Sequence, residues 1–245
     1  MSFKDIFNID AEVKESAHAR VNLIGEHTDY TGGYVMPTLL SFKNTIEISQ
    51  NNSNEFTVYS QHFKEKKIFN DFKKSINNEW VDYIKGCLHI FFDENKISSR
   101  FLSIFISSDI PLERGISSSS ALCVATLKAL NTFFETKIKD PEIAKLAKKV
   151  EFNYIGVSGG IMDQMVSSIG IHGKAFFMNC KNLEYELINF PENWKFCLID
   201  SEVQRNLRDS SYNERFAELQ EAEKNLDVEY LGEVKKENFQ TNKFD

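Results

Sequence analysis

The alternation of apolar and polar residues predicts several β-strands in this chain. Residues 44–49 (NTIEIS) and 55–60 (EFTVYS) alternate with period two, and residues 101–106 (FLSIFI) form a short apolar run. Period two places successive side chains on opposite faces of a strand, so the first two segments are expected to be half-buried strands. Two further short apolar segments, 175–180 and 195–199, are also predicted to be strands.

The pattern changes to helical spacing after a run of serines. Apolar residues recur at intervals of three and four from Ala121 to Phe134, and Pro141 opens a similar segment that ends near Val150. Proline is favoured in the first turn of a helix, where its missing N–H needs no partner. A charged helix is predicted over 209–225, because its Asp-Ser-Ser start is typical of an N-cap. The irregular mixture of strands and helices indicates an α+β fold rather than a doubly wound sheet.

Composition narrows the class of protein. The chain has 245 residues, of which 42% are hydrophobic and 27% charged, and this excludes a disordered tail, a collagen-like fibre and a coiled coil. The net charge of −7 disfavours a nucleic-acid partner and an anionic membrane. The four cysteines are far apart and are expected to be reduced and mostly buried. No signal peptide or membrane span is evident, so we expect a soluble cytoplasmic protein.

The segment 111–122 (PLERGISSSSAL) is a candidate anion-binding loop. Gly115 permits the positive φ that a tight loop needs, and the serines bring hydroxyls and free backbone N–H groups to the start of a helix. No Lys follows a glycine in the Walker A manner, so this is not a Walker A loop. An ordinary serine N-cap explains these residues equally well when they are taken alone.

The segment 20–37 (RVNLIGEHTDYTGGYVMP) concentrates polar groups on a glycine-rich turn. Glu26, His27 and Asp29 fall within four positions, and carboxylates accept hydrogen bonds from the neighbouring hydroxyls of a polyol. A metal site is the rival interpretation, but the other histidines lack the spacing that would supply further ligands. A solvated polar turn is the remaining alternative.

The segment 151–170 (EFNYIGVSGGIMDQMVSSIG) holds a carboxylate among apolar residues. Asp163 follows a pair of glycines and is flanked by Ile161, Met162 and Met165. Such surroundings suit a general base, although an Asp that caps a helix is the structural alternative.

Together these segments resemble the galactokinase family of the GHMP small-molecule kinases. Segment 20–37 resembles the galactokinase signature, 111–122 the second GHMP motif, which binds ATP, and 151–170 the stretch with the catalytic aspartate. A fourth segment, DSEVQRNLRDSSYNERFAE, is also similar to the family, so the resemblance extends from about residue 16 to 218. It implies a GHMP kinase N-terminal domain (ribosomal protein S5 domain 2-like) over 1–190. The start of a second, incomplete α+β domain would follow over 191–245.

The resemblance also implies a function, namely ATP-dependent phosphorylation of D-galactose at its anomeric hydroxyl to give galactose 1-phosphate. ATP would be the co-substrate and Mg²⁺ the metal, and the protein would be a monomer without nucleic-acid or membrane partners. One alternative is a galactose-binding protein or inactive fragment of the same descent. Another is a kinase for N-acetylgalactosamine or a related sugar.

Residue roles follow from the resemblance, position by position. Asp163 would take the proton of the sugar hydroxyl, with Arg20 beside it. Ser119 and Glu151 would bind Mg²⁺. The sugar pocket would comprise Glu26, His27, Thr28, Asp29, Gly160 and Tyr212. The loop around the ATP phosphates would comprise Glu113, Arg114, Gly115, Ile116, Ser117, Ser118 and Ser119.

Some positions depart from the family pattern. His18 and Ala19 replace the usual Pro-Gly before the arginine, and Glu113 occupies a position that is usually small. A carboxylate at Glu113 would repel phosphates unless it points away or pairs with Arg114. The family's third, glycine-rich motif is missing, since the sequence contains no run of three glycines. We therefore expect a chain that is truncated at its C-terminal side.

Overall fold

The computed structural model describes residues 1–111, 114–200, 202 and 210–235, and eight strands of these residues form one sheet. The strands are β1 Val13–Asn22, β2 Tyr34–Val35, β3 Pro37–Gln50, β4 Phe56–Ser60, β5 Glu65–Phe69, β6 Leu102–Ser108, β7 Lys174–Asn179 and β8 Tyr185–Asn189. The α+β class predicted from the sequence is confirmed.

The described residues also form six α-helices. They are α1 Phe3–Phe7, α2 Val81–Asn95, α3 Ser118–Phe133, α4 Asp140–Lys149, α5 Met162–Ile169 and α6 Ser210–Leu226, with a π-helix at Val150–Ile155 and a 3₁₀ turn at Leu231–Glu233. The two helices expected after the serine run and at Pro141 are confirmed, as is the charged helix after residue 209.

The sheet is mixed, with the order β2-β7-β3-β6-β4-β5, while β1 pairs with β3 and β8 pairs with β7. The β4–β6 pair is parallel, and the other pairs are antiparallel. β1 lies against the long strand β3, and its register shifts between His18 and Arg20. This irregularity changes the direction in which the end of β1 presents its side chains, Arg20 among them.

One large apolar cluster joins the helices to the sheet. Leu127 and Leu130 of α3 are fully buried in it with Ile46 and Ile48 of β3, and Phe91 of α2 belongs to the same cluster. The helical spacing of the apolar residues in α3 puts one face of this helix on the sheet. The serine-rich N-terminus of α3 is thereby held at a defined place beside the end of β1.

The two alternating segments form the strands β3 and β4, but the expected half-burial is wrong. All five residues of β4 are buried. Phe3 of the N-terminal helix α1 packs with Tyr59 and Phe105 and covers the face that alternation assigned to solvent. Thr57 is buried there too, and its hydroxyl accepts a hydrogen bond from Nδ2 of Asn51 at 3.3 Å, which reduces the cost of burying it.

The predicted strand at 195–199 is also wrong, because these residues have no regular secondary structure. Phe196, Leu198 and Ile199 are exposed, as is the neighbouring Trp194. An extended apolar segment becomes a strand only when a neighbour accepts its backbone hydrogen bonds, and none of the described strands pairs with it. In the described ranges we find no helix with the length and apolar character that crossing a membrane requires.

Candidate active site

The centre of the site is a bidentate ion pair between β1 and α5. Arg20 donates from Nε to Oδ1 of Asp163 at 2.6 Å and from Nη2 to Oδ2 at 2.7 Å. Both side chains are largely shielded, with 14% and 24% of their surfaces exposed. Burial lowers the pKa of Arg20, but the attraction and hydrogen bonds of Asp163 more than offset this and raise it overall. The arginine is therefore a permanent cation beside the carboxylate.

The serine-rich loop is attached to this ion pair. Arg20 donates from Nη1 to the carbonyl of Gly115 at 2.9 Å, and its backbone N–H donates to the carbonyl of Ile116 at 3.2 Å. The hydroxyl of Ser117 donates to Oδ2 of Asp163 at 2.5 Å. Ser117 occupies the N-cap of α3 with a φ of +63°, a left-handed conformation that is unfavourable for a residue with a Cβ. The strained conformation aims its hydroxyl at Asp163 instead of at the helix.

The turn after β1 is closed by a threonine. The hydroxyl of Thr28 lies 2.8 Å from the carbonyl of Gly25 and 2.7 Å from that of Tyr34. Gly25 has a φ of +101°, and a Cβ there would lie 2.4 Å from the Tyr34 carbonyl oxygen. The hydroxyl of Thr28 thus has a structural role in the turn, and its contact with a sugar stays a prediction.

Asp29 projects from this turn towards the ion pair. A Cβ on Gly160 would lie 2.1 Å from Oδ2 of Asp29, so only glycine leaves room for this carboxylate. Burial and the negative charge of Asp163 raise the pKa of Asp29 to about 6, with Arg20 opposing the shift. Asp29 is thus a buried carboxylate that Arg20 stabilises less than it stabilises Asp163, because both hydrogen bonds from Arg20 to a carboxylate go to Asp163.

The other two polar residues of the turn are more exposed. Glu26 accepts a hydrogen bond from Nδ2 of Asn22 at 3.1 Å, and His27, at a φ of +63°, makes a short contact through Nδ1 with the hydroxyl of Tyr30. The two neighbours orient the carboxylate and the imidazole at the rim of the site.

A second buried cluster surrounds Glu151 in the π-helix. Its Oε1 accepts a hydrogen bond from the hydroxyl of Ser119 at 2.8 Å. Its Oε2 accepts from the hydroxyl of Ser120 at 2.8 Å and from Nε2 of Gln164 at 2.5 Å. Burial raises the pKa of Glu151, while these three hydrogen bonds oppose the rise. A π-helix adds one residue to a turn and commonly occurs at functional sites, and here its second residue is the buried glutamate.

The donor set of this cluster fits a hard cation such as Mg²⁺. The carboxylate of Glu151 and the hydroxyl of Ser119 supply oxygen ligands, which Mg²⁺ prefers. Oε1 of Gln164 is buried without a hydrogen-bond partner, and it could accept a hydrogen bond from a water that such an ion retains. No group of three or more His, Cys, Asp or Glu residues with metal-binding geometry occurs among the described residues. A metal here would therefore need oxygen atoms from its substrate as further ligands.

The contacts described for two predicted site residues, Arg114 and Ser118, are with residues outside these clusters. Arg114 forms an ion pair with Asp200 at 2.9 Å. The carbonyl of Ser118 accepts a hydrogen bond from Nδ2 of Asn44 at 2.9 Å. Glu113 lies outside the described residues. The backbone of Tyr212 lies in α6, but its side chain is also outside the described part of the structure.

Three residues that were not predicted from the sequence hold predicted site carboxylates in place. Asn22 holds Glu26, while Ser120 and Gln164 hold Glu151. Gln164 follows Asp163 directly, and Ser120 is the last of the four serines. Both therefore lie within the motifs, but only the fold shows that they converge on Glu151.

Two family models match the chain. The model of the GHMP kinases N terminal domain matches residues 82–170, and that of the galactokinase galactose-binding signature matches residues 1–50. The first contains Glu151 and Asp163, and the second contains Arg20 and the turn with Asp29.

Most of the chain is similar in sequence to known galactokinases. A galactokinase of Thermotoga petrophila is 35% identical over 93% of this chain, and one of Fusobacterium nucleatum is 34% identical over 95%. The crystal structure of Lactococcus lactis galactokinase complexed with galactose superposes with a TM-score of 0.87 at 30% identity, covering 99% of this chain and 66% of that one. The chain spans 64% and 62% of the lengths of the two curated relatives.

Proposed function

The chain belongs to the galactokinase family of the GHMP kinases, and from this premise we propose that it transfers the γ-phosphoryl group of ATP to the anomeric hydroxyl of D-galactose. The observation that carries the proposal is the bidentate pair of Arg20 and Asp163, which the serine-rich loop contacts on one side. The turn with Asp29 approaches the ion pair from the opposite side. Asp29 lies close enough to Asp163 for the two carboxylates to repel each other.

Asp163 acts as the general base. Its Oδ2 accepts two hydrogen bonds, from Arg20 and Ser117, whereas Oδ1 accepts one, from Arg20. A carboxylate oxygen accommodates about two donors, so Oδ1 keeps a place for the sugar hydroxyl. The three donors fix the position of the carboxylate, and positioning supplies most of the catalysis in phosphoryl transfer because the transition state is loose. The sugar oxygen attacks the γ-phosphorus, its proton passes to Asp163, and the bond to the β-phosphate oxygen breaks.

The sugar is held by the turn after β1. The carboxylates of Glu26 and Asp29 accept hydrogen bonds from its ring hydroxyls, and His27 contributes an imidazole. Gly160 keeps the space that Asp29 occupies. Tyr212 and Thr28 complete the pocket by resemblance to the family.

The phosphates of ATP bind at the N-terminus of α3. The backbone N–H groups of the loop over 113–119 and the positive end of the helix dipole favour an anion there. Mg²⁺, held by Ser119 and Glu151, would neutralise phosphate charge. Arg20, which already interacts with both Asp163 and Gly115, stabilises the charge that develops during transfer.

The proposed setting is a cytoplasmic monomer that takes small-molecule substrates and no nucleic acid. The formal charge of −7 agrees with the absence of a polyanionic partner. We expect ATP to meet positive charge locally, at Arg20 and at the divalent ion that Ser119 and Glu151 would hold.

The test is galactose-dependent release of ADP by the purified chain in the presence of Mg²⁺. We expect turnover that requires galactose and is abolished in Asp163→Ala. Isothermal titration with galactose measures sugar binding separately from turnover. Galactose binding without ADP release, in protein that is folded by circular dichroism, would contradict the kinase and favour a galactose-binding protein. Faster turnover with N-acetylgalactosamine would contradict the assigned substrate.

A further inference from the structure

Glu151 uses its two carboxylate oxygens differently. Oε2 accepts two hydrogen bonds, one from Ser120 and one from Gln164, whereas Oε1 accepts only that of Ser119. Two donors saturate a carboxylate oxygen. Oε1 is therefore the oxygen with capacity for a cation, and it lies beside the hydroxyl that would be the second ligand.

The orientation of Gln164 is determined by this carboxylate. Its Nε2 contacts Oε2 of Glu151 at 2.5 Å and the hydroxyl of Ser120 at 3.4 Å. The reversed amide would place Oε1 against a carboxylate oxygen, where two acceptors repel each other. Only 5% of Gln164 is exposed, so bulk solvent has little access to the donor.

Gln164 keeps this orientation at an energetic cost. Its Oε1 remains buried without a hydrogen-bond partner, and an unsatisfied buried acceptor costs about 1–3 kcal/mol. A buried apolar side chain of similar size would avoid that cost but would leave Oε2 of the buried Glu151 with one donor fewer, so the amide acts on that carboxylate.

We propose that Gln164 is a positioning residue for the divalent cation, acting through Glu151 with Ser120 as its helper. The two donors hold Oε2 and thereby direct Oε1 and Ser119 towards the ion. Because Gln164 follows Asp163 on α5, the same helical turn sets the base and the metal ligand. This inference rests on the proposed function, since it assumes that Glu151 binds the ion.

The test compares Mn²⁺ binding, measured by electron paramagnetic resonance with a non-hydrolysable ATP analogue, in the unsubstituted chain and in Gln164→Leu. We expect the Mn²⁺ dissociation constant of Gln164→Leu to rise about tenfold or more, as loss of a hydrogen bond to a charged group predicts. Galactose affinity should stay within about twofold. The apparent KM for free Mg²⁺ should rise in parallel.

Gln61→Leu is the matched control, because Gln61 is exposed and donates to the carbonyl of Met1. Its Mn²⁺ affinity should be unchanged. Wild-type Mn²⁺ affinity in folded Gln164→Leu would overturn the inference. If Gln164→Leu does not fold, Ser120→Ala decides, since it removes the other donor to Oε2. A rise in its Mn²⁺ dissociation constant supports the inference, and no change overturns it.

Failure of the proposed function gives a different result. In that case the unsubstituted chain would neither bind Mn²⁺ with nucleotide nor release ADP. If only the Gln164 inference is wrong, the unsubstituted chain and Gln164→Leu both bind Mn²⁺ with nucleotide and both release ADP.

Discussion

Oδ2 of Asp29 lies 2.1 Å from the point that a Cβ atom on Gly160 would occupy. Non-bonded atoms do not approach a real Cβ this closely, and the backbone carbonyl carbon of Asp29 would be only 2.7 Å away. The absence of a side chain at residue 160 therefore determines where the carboxylate of Asp29 can lie.

Gly160→Ala should weaken galactose binding by roughly 10- to 100-fold, because the displaced carboxylate of Asp29 would lose the hydrogen bonds proposed for it with the sugar. Isothermal titration calorimetry measures the dissociation constant for galactose. Gly173→Ala is the control, since Gly173 has a φ of +77° with no atom near its missing Cβ. It should lower stability by about 1 kcal/mol without changing galactose affinity. Equal affinity in the two variants would contradict the steric role of Gly160.

Asp29→Asn should lower the affinity for galactose and raise the free energy of unfolding. Because the folded state raises the pKa of Asp29 to about 6 from 3.8, its ionisation costs folding free energy at neutral pH. The cost is on the order of 3 kcal/mol above pH 6 and is absent below pH 4. Urea unfolding should therefore show the Asp29→Asn variant more stable than the unsubstituted chain at pH 8, with the difference shrinking as the pH falls towards 4. A pH-independent difference would contradict this account, and galactose affinity should fall at every pH.

Arg20→Lys should lower kcat by about 10²-fold or more, because a lysine cannot hold both oxygens of Asp163 and also reach the carbonyl of Gly115. The KM for galactose should change much less, since the proposed role of Arg20 is to act on the base and on developing charge. Steady-state kinetics with varied galactose separates the two constants. Arg100→Lys is the control, because Arg100 lies over the ring of Phe134. Parallel losses in kcat and affinity would instead indicate a structural role for Arg20.

Two variants, Ser117→Ala and Ser117→Gly, distinguish the effect of the Ser117 hydroxyl on activity from the effect of its backbone strain on stability. Both variants lose the hydrogen bond to Asp163, so both should lower kcat by roughly 10-fold or more. Glycine adopts the φ of +63° at a lower cost than alanine, so Ser117→Gly should be about 1 kcal/mol more stable than Ser117→Ala. Urea denaturation measures the difference. Full activity in either variant would show that the hydroxyl does not assist Asp163.

Local sequence predicted much of the fold, because the apolar spacing after Ser117 and after Pro141 matches one face of a helix. It did not predict the burial of both faces of β4, since α1 covers one of them from a distant part of the chain. Apolar residues at 195–199 suggested a strand, but strand formation depends on a partner that local pattern cannot supply. The helix α2 has no distinctive start, because its N-cap position is Trp80 with no side-chain hydrogen bond.

By itself the sequence determined the three motifs, their order and the residue types available for catalysis, because these are properties of short segments. Only the tertiary structure decided which residues meet. Arg20 reaches Asp163 across 143 positions because β1 and α5 are adjacent in the fold. Gln164 and Ser120 converge on Glu151 for the same reason. Hydrogen-bond geometry depends on ångström distances between elements that packing alone brings together, and local residue patterns do not encode those distances.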